Sequence, residues 1–152
     1  TLTIGGGVAD SEIANLNSQA SADKNGFHVG VSAVTGDLTI GVGYGDGDTF
    51  VSSTAAGSNI EVDGSVMKAG VKYVTGDVTL ALGVASGEAK DGAFGSAGTT
   101  DDSSDSTSAS VTYAVASGVS AVLGYTTVDR NNEGVSTTLG GNAWYVGATM
   151  SF

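Results

Sequence analysis

Apolar residues alternate with small or polar ones along the last ten positions of the chain. The apolar set is Trp144, Val146, Ala148, Met150 and Phe152. A β-strand sends successive side chains to opposite faces, so the stretch predicts a strand with one apolar face. About ten residues are also what a tilted strand needs to cross a bilayer. This pattern and length restrict the chain to a few all-β architectures.

The same alternation recurs along the whole chain and predicts eight strands. They are Thr1–Ala9, Phe27–Ala33, Leu38–Tyr44, Met67–Tyr73, Val78–Ala85, Ser108–Val115, Val119–Thr126 and Ala143–Phe152. Tight turns are predicted at Thr35–Asp37, Thr75–Asp77 and Ser117–Gly118, where glycine supplies the positive φ that such turns often need. They join the second strand to the third, the fourth to the fifth and the sixth to the seventh. Long polar loops are predicted at 10–25, 45–64, 86–106 and 129–141.

This unit of a hairpin and a long loop repeats with a period near 40 residues. A WD40 propeller has a similar period, but it needs four strands in each unit. The sequence offers two strands in each unit and contains no Trp-Asp dipeptide, so the propeller is set aside.

The face opposite the apolar one is almost free of charge. It carries Gly, Ser, Thr and Ala, with Lys68, Lys72 and His28 as exceptions. A soluble sandwich or a lipocalin-like barrel would expose this face to water and would carry many Lys and Glu residues there. Charged residues make up 14% of the chain, and the net charge of −11 argues against a nucleic-acid partner. The pattern predicts a transmembrane antiparallel up-and-down β-barrel whose apolar face meets lipid.

Aromatic residues near the strand ends support this orientation. They form two expected girdles at the bilayer interfaces, made of Tyr44, Tyr73, Tyr125, Trp144 and Phe152. Short turns then face the periplasm and long loops face outward. The interior of an eight-stranded barrel is just filled by side chains, whereas this glycine-rich face would leave it hollow. We therefore expect these strands to be part of a wider barrel, with the partners of its first and last strands missing from this chain.

Three motifs resemble those of bacterial general porins. They are the terminal Trp144–Phe152, the Thr-Gly-Asp-hydrophobic-Thr hairpins and the Gly-Val-Gly-Tyr strand end. The chain looks most like the C-terminal half of the Rhodobacter-type porins of alphaproteobacteria. The resemblance implies a sixteen-stranded homotrimer in the outer membrane of a Gram-negative bacterium. Its expected partners there are the lipid bilayer and, as a further candidate, lipopolysaccharide. It also implies passive diffusion of ions and small hydrophilic solutes. The constriction loop of the family belongs to the first half, and no stretch here matches it.

Several residues are expected to line a pore: His28, Thr39, Lys68, Lys72, Ser110, Thr112 and Tyr145. Lys68 and Lys72 lie four apart in one strand and so form a positive strip, which would sort ions crossing the pore. Plain solvated wall residues are the alternative for both. His28 is the only histidine, and no motif provides it with a nucleophile, so we expect no enzyme. The acidity of the chain as a whole predicts a preference for cations in the vestibule.

Two groups of acidic residues are candidates for metal binding. Asp101, Asp102 and Asp105, and separately Asp46 and Asp48, carry the oxygen ligands that Ca²⁺ prefers, but their spacing does not match an EF-hand. A solvated loop is the simpler interpretation of both groups, and no other cofactor is expected. Besides the porin, two functions stay open: a small eight-stranded barrel with a structural or adhesive role, and a barrel enzyme.

Overall fold

The computed structural model describes residues 1–13, 22–52, 59–89, 102–131 and 139–151. The strands are β1 (Leu2–Ile13), β2 (Ala22–Thr35), β3 (Leu38–Ser52), β4 (Asn59–Thr75), β5 (Val78–Ala89), β6 (Asp102–Ala116), β7 (Val119–Asn131) and β8 (Leu139–Met150). Within these ranges, no helix has the length and hydropathy to cross a membrane.

All eight strands form one antiparallel sheet in chain order, from β1 to β8. Each strand is hydrogen-bonded to the strands that precede and follow it in sequence, as in an up-and-down barrel. Among the described residues, β1 pairs with β2 alone and β8 pairs with β7 alone, so the sheet has two free edges. The predicted all-β antiparallel architecture is confirmed.

Three two-residue turns connect the hairpins. Their glycines, Gly36, Gly76 and Gly118, have φ values of 56°, 56° and 74°, the left-handed region that residues with a Cβ rarely adopt. The sequence-based expectation of positive φ in these turns is therefore confirmed.

Each hairpin is also displaced along its neighbour. Thr75 pairs with Val78 within one hairpin, whereas Tyr73, two residues before Thr75, pairs with Leu38 of the preceding hairpin. The backbone N–H of Val74 donates to the carbonyl of Asp37 at 2.9 Å and fixes this offset. A constant stagger tilts the strands, and a tilted sheet is the one that can curve into a barrel.

The strands continue well beyond the predicted ends. Residues 45–52 belong to β3, 59–64 to β4 and 102–106 to β6, although all three stretches were predicted to lie in loops. The apolar alternation stops at the edge of the apolar band, but backbone hydrogen bonding between two strands does not depend on it. The predicted loops are therefore wrong at their ends, and their central parts lie outside the described residues.

Along the central strands β3 and β5, exposure alternates in the sense opposite to that of a soluble sheet. Leu80, Leu82 and Val84 on β5 are 42%, 59% and 53% exposed, whereas Ala81 and Gly83 between them are half-buried. The apolar side chains thus lie on the convex face and the small ones on the concave face. Among the residues whose burial the structure describes, only Asp102 and Gly124 are buried, so this part of the chain has no apolar core. The soluble sandwich is excluded by this arrangement.

Candidate pore wall

The concave face holds an open groove of about 940 Å³. Its polar side chains are those of Thr3, His28, Ser32, Lys68, Ser106 and Ser108. Glycines make much of the remaining surface: Gly5, Gly30 and Gly43 lie opposite one another on three adjacent strands. A Cβ added at Gly5 would meet no atom within 4 Å, so here the backbone itself is the surface of the groove. The wall therefore has few projecting side chains, and those that are polar can form hydrogen bonds.

Lys68 and Lys72 both lie on the concave side of β4. The residues opposite Lys68 on the adjacent strands are Gly43 and Ala85, and those opposite Lys72 are uncharged as well. Both lysines are exposed. Because no cross-strand neighbour carries a carboxylate, the two ammonium groups give this part of the wall a positive charge.

Hydroxyl groups follow the concave side of β6. They belong to Ser104, Ser106, Ser108, Ser110 and Thr112. Ser108 donates to the carbonyl of Gly83 at 3.5 Å, at the outer limit of a hydrogen bond. The sequence placed Ser108, Ser110 and Thr112 on this face and selected Ser110 and Thr112 as pore-lining, but Ser104 and Ser106 were missed. The alternating serines of 104–110 were the available signal, but part of this stretch was read as a loop.

The other predicted wall residues share this face. Thr39 lies directly opposite Lys72, and Thr112 lies opposite Thr79. His28 and Tyr145 are also on the concave side, next to the two free edges of the sheet.

His28 and Tyr145 each cover a glycine of the neighbouring strand. A Cβ on Gly7 would approach His28 Cε1 to 2.7 Å, and a Cβ on Gly124 would overlap the ring of Tyr145. A ring placed over a cross-strand glycine shields its backbone and fixes the register of the two strands. The structure thus gives both rings a role in strand pairing that the sequence did not suggest.

Aromatic rings mark the outward end of the convex apolar band. Tyr125 and Trp144 contact each other with their centroids 4.5 Å apart, and the Tyr44 ring lies 5.9 Å from that of Phe27, which sequence reasoning missed. Tyr44 donates its hydroxyl to Asp46 Oδ2 at 2.9 Å, so this ring joins the apolar band to the polar rim. These contacts suit residues at a membrane interface.

Aromatic rings also lie toward the turn end of the sheet. Tyr73 is 44% exposed on the convex face, near the turn at Gly76, and Tyr113 lies on the same face at a similar depth. Phe152, the remaining predicted girdle residue, lies outside the described residues.

Carboxylates gather on the convex face beyond the aromatic band. Asp46, Glu88, Asp105 and Asp129 all lie there, and Asp105 is directly opposite Asp129. The predicted Ca²⁺ group is divided between the faces: Asp102, which is buried, and Asp105 are three residues apart in β6 and so project to opposite sides.

Asp101 and the side chain of Asp48 lie outside the described residues. Within the described part of the chain, no three acidic or histidine side chains come together as a metal site. Ca²⁺ binding stays a prediction.

Asp105→Asn is expected to raise the free energy of unfolding by about 0.2–1 kcal/mol, because like charges directly opposite on adjacent strands repel. Urea unfolding in the presence of EDTA measures the change. Glu88→Gln is the matched control, since Glu88 lies between two serines and its loss relieves no direct pair. Equal stabilisation by both variants would assign the effect to net charge. If Ca²⁺ binds the Asp105–Asp129 pair, adding it stabilises the wild type more than Asp105→Asn.

No protein-family model matches the sequence, and no curated protein sequence matches it. Among solved structures, a porin aligns with 99% of this chain and 47% of its own length, with a TM-score of 0.72 and 19% identity. OmpT of Vibrio cholerae aligns with 86% of this chain and 42% of its own, with a TM-score of 0.69 and 23% identity. The trimer form of OmpT gives a TM-score of 0.67 at 19% identity, over 98% of this chain and 51% of its own.

The chain therefore spans about half the length of the OmpT and porin chains. Likeness at these identities shows the fold, which is that of a bacterial outer-membrane β-barrel. The outer-membrane location predicted from the sequence agrees with it. The closer resemblance to Rhodobacter-type porins, and to their C-terminal half, stays a prediction.

Proposed function

We propose that this chain forms part of the wall of a wide, water-filled pore through which ions and small hydrophilic solutes diffuse across the outer membrane. The observation that carries the proposal is the contrast between the two faces of one sheet. Exposed Leu and Val side chains cover the convex face, whereas Gly, Ser, Thr and Lys line an open groove on the concave face. A lipid-facing surface and a water-facing wall require these two chemistries.

The free edges support a barrel of more than these eight strands. Thr1 and Val34 exchange both backbone hydrogen bonds, each 2.7 Å long. Hydrogen-bonded pairs alternate in an antiparallel ladder, so the backbone groups of Leu2, Ile4 and Gly6 point away from β2. In lipid, each unpaired group costs several kcal/mol.

At the other edge, the Ser151 N–H donates to the Gly118 carbonyl at 2.8 Å. By the same alternation, the backbone N–H and C=O groups of the even-numbered residues of β8 point away from β7. We propose that further strands of the same barrel pair with β1 and β8 and complete a sixteen-stranded wall. This chain would then be the C-terminal half of that barrel.

Three such barrels are proposed to assemble as a homotrimer. The resemblance to general porins supports this, and so does the existence of V. cholerae OmpT in a trimer form with the same fold. Lipopolysaccharide is the proposed neighbour of the convex face beyond the aromatic band. We propose no catalytic role, and His28 is assigned to the pore wall and the β1–β2 contact.

Planar-bilayer recording with the purified natural protein, together with its intact mass, tests the proposal. We expect large, steady conductance steps, because a sixteen-stranded wall encloses an aqueous channel. We also expect a polypeptide about twice as long as this chain, because sixteen strands are twice the eight found here. Insertion without conductance by a chain of this length would favour the small barrel with a structural or adhesive role. Hydrolysis of a model ester or peptide that is lost in His28→Ala would favour the enzyme.

A further inference from the structure

We propose that the concave surface of β4, β5 and β6 is a binding track for anionic, polyhydroxylated solutes of the sugar-acid class. Its ammonium groups would take the carboxylate and its serine hydroxyls would take the sugar hydroxyls. The inference rests on the proposed pore function and adds a solute class to it.

Charge is sorted between the two faces of the sheet. Asp46, Glu88, Asp105 and Asp129 lie on the convex face, whereas Lys68 and Lys72 lie in the middle of the concave one. On the described strands, Asp102 is the one carboxylate with a concave position, and it lies at the far end of β6. The net charge of −11 is therefore not the charge of the concave face. The cation preference expected from the composition does not apply to the concave surface of β4, β5 and β6.

The register builds the same polar row twice. Lys68, Ala85 and Ser106 lie opposite one another on β4, β5 and β6, and Lys72, Ala81 and Ser110 repeat the pattern four residues along. A row of Gly70, Gly83 and Ser108 lies between them. The Lys68 and Lys72 rows each place an ammonium group on β4 and a hydroxyl on β6, with only an alanine methyl group on β5 between them.

The spacing of a row suits a small sugar acid. Neighbouring strands lie about 4.8 Å apart, so the backbones that carry Lys68 and Ser106 are separated by about 10 Å. Ala85 between them leaves this space open, and Lys68 and Ser106 both line the groove. A carboxylate on the ammonium group then directs the rest of a monosaccharide across β5 toward the serines.

The chemistry of each row matches both parts of such a solute. An ammonium group is a compact donor of three hydrogen bonds, and a serine hydroxyl both donates and accepts. Neutral sugars would use the hydroxyls alone, and simple anions would use the lysines alone. Two rows of the same composition, of which the Lys68 row lines the groove, also let a solute pass from one to the next. Weak binding at several sites is compatible with passage through a pore.

Current recording with three probes tests the track: sodium D-glucuronate, D-glucose and sodium acetate, each added to the natural protein in a planar bilayer. We expect D-glucuronate to reduce the current and to raise its noise at lower concentrations than the other two. Lys68→Gln with Lys72→Gln should weaken this block about fivefold. Ser106→Ala with Ser110→Ala should weaken the glucuronate block and leave acetate unaffected.

The matched control changes the same charge on the opposite face. Lys68→Gln and Asn142→Asp each make the protein more negative by one, but Asn142 lies on the convex side of β8. Only Lys68→Gln should shift the reversal potential toward cations, and the double substitution Lys68→Glu with Lys72→Glu should shift it further. Equal shifts from Lys68→Gln and Asn142→Asp would overturn the assignment of Lys68 to the track.

Saturation-transfer NMR of D-glucuronate with the detergent-solubilised protein separates this proposal from the pore itself. Suppose that the wild-type protein does not conduct but binds D-glucuronate, and that the double variant Lys68→Gln with Lys72→Gln does not bind it. This result would refute the pore and keep the track. Conductance with equal responses to D-glucose and D-glucuronate would keep the pore and refute the track. Glucuronate binding that is unchanged in both double variants would refute it as well.

Discussion

Leu82→Lys is expected to lower the free energy of unfolding by about 2–4 kcal/mol, the cost of a lysine at the midplane of a lipid-facing strand. Leu82 is 59% exposed, and its partners on the adjacent strands are Val71 and Ala109, which are apolar as well. In a soluble protein, an exposed leucine tolerates lysine with little cost. Here the exposed side is the side in lipid, so the same substitution removes apolar contact and brings a charge into hydrocarbon.

Ser108→Lys is the control for this prediction. Ser108 directly precedes Ala109 on β6, but it lies on the concave face opposite Gly83 and Thr126, where the ammonium group can remain in water. We expect its cost to stay within about 1 kcal/mol, as for an ordinary surface substitution. Urea unfolding of the protein folded into lipid vesicles measures both. Equal costs for the two variants would contradict the assignment of the convex face to lipid.

The central part of each strand could be predicted from the sequence because two independent signals agree there. In β5, apolar and small residues alternate strictly from Val78 to Ala85, and the preceding turn contains a glycine where positive φ is needed. The outward ends of the strands could not be predicted in this way. From Gly45 to Thr49 both faces of β3 are small or polar, and Phe50 and Val51 are two apolar residues in succession. No alternation remains there, although the backbone ladder with β4 continues to Ser52.

The candidate site was predictable only where it depends on one strand. Lys68 and Lys72 share a face because they are four apart, and this follows from the sequence alone. The row that joins Lys68 to Ser106 depends on the register of β4 with β5 and of β5 with β6. The turn at Gly76 sets the register of β4 with β5. No local sequence pattern specifies the pairing of β5 with β6, because these two strands are not joined by a tight turn. The same limitation explains why Asp105 was grouped with Asp102 rather than with Asp129.

Gly118→Ala is expected to destabilise the protein more than the same substitution in another hairpin turn. Gly118 has a φ of 74°, and a left-handed conformation costs a residue with a Cβ roughly 1–2 kcal/mol. In addition, the new Cβ would lie 2.6 Å from the carbonyl oxygen of Ser151. That oxygen belongs to the backbone, so the chain after β8 would have to move to relieve the overlap.

Gly36→Ala separates these two costs. Gly36 has a similar φ of 56°, but a Cβ there would meet no atom within 4 Å, so this variant measures backbone strain alone. The excess cost of Gly118→Ala then measures the contact between the β6–β7 turn and the chain after β8. Unfolding midpoints of the two variants in lipid vesicles give the difference, and equal midpoints would mean that Ser151 moves aside freely.

An excess cost at Gly118 has a structural reason that goes beyond the turn. The Ser151 N–H donates to the Gly118 carbonyl at 2.8 Å, just as the Val74 and Ala114 N–H groups donate to the turn carbonyls of Asp37 and Asp77. Each of these bonds ties one turn to the end of the strand that follows the hairpin and fixes the stagger between them. Displacing Ser151 removes the last bond of the series, so the register of β8 would then depend on the ladder with β7 and on Tyr145 over Gly124. Gly118→Ala should therefore also loosen the pairing of β8 with β7, and Gly36→Ala should not.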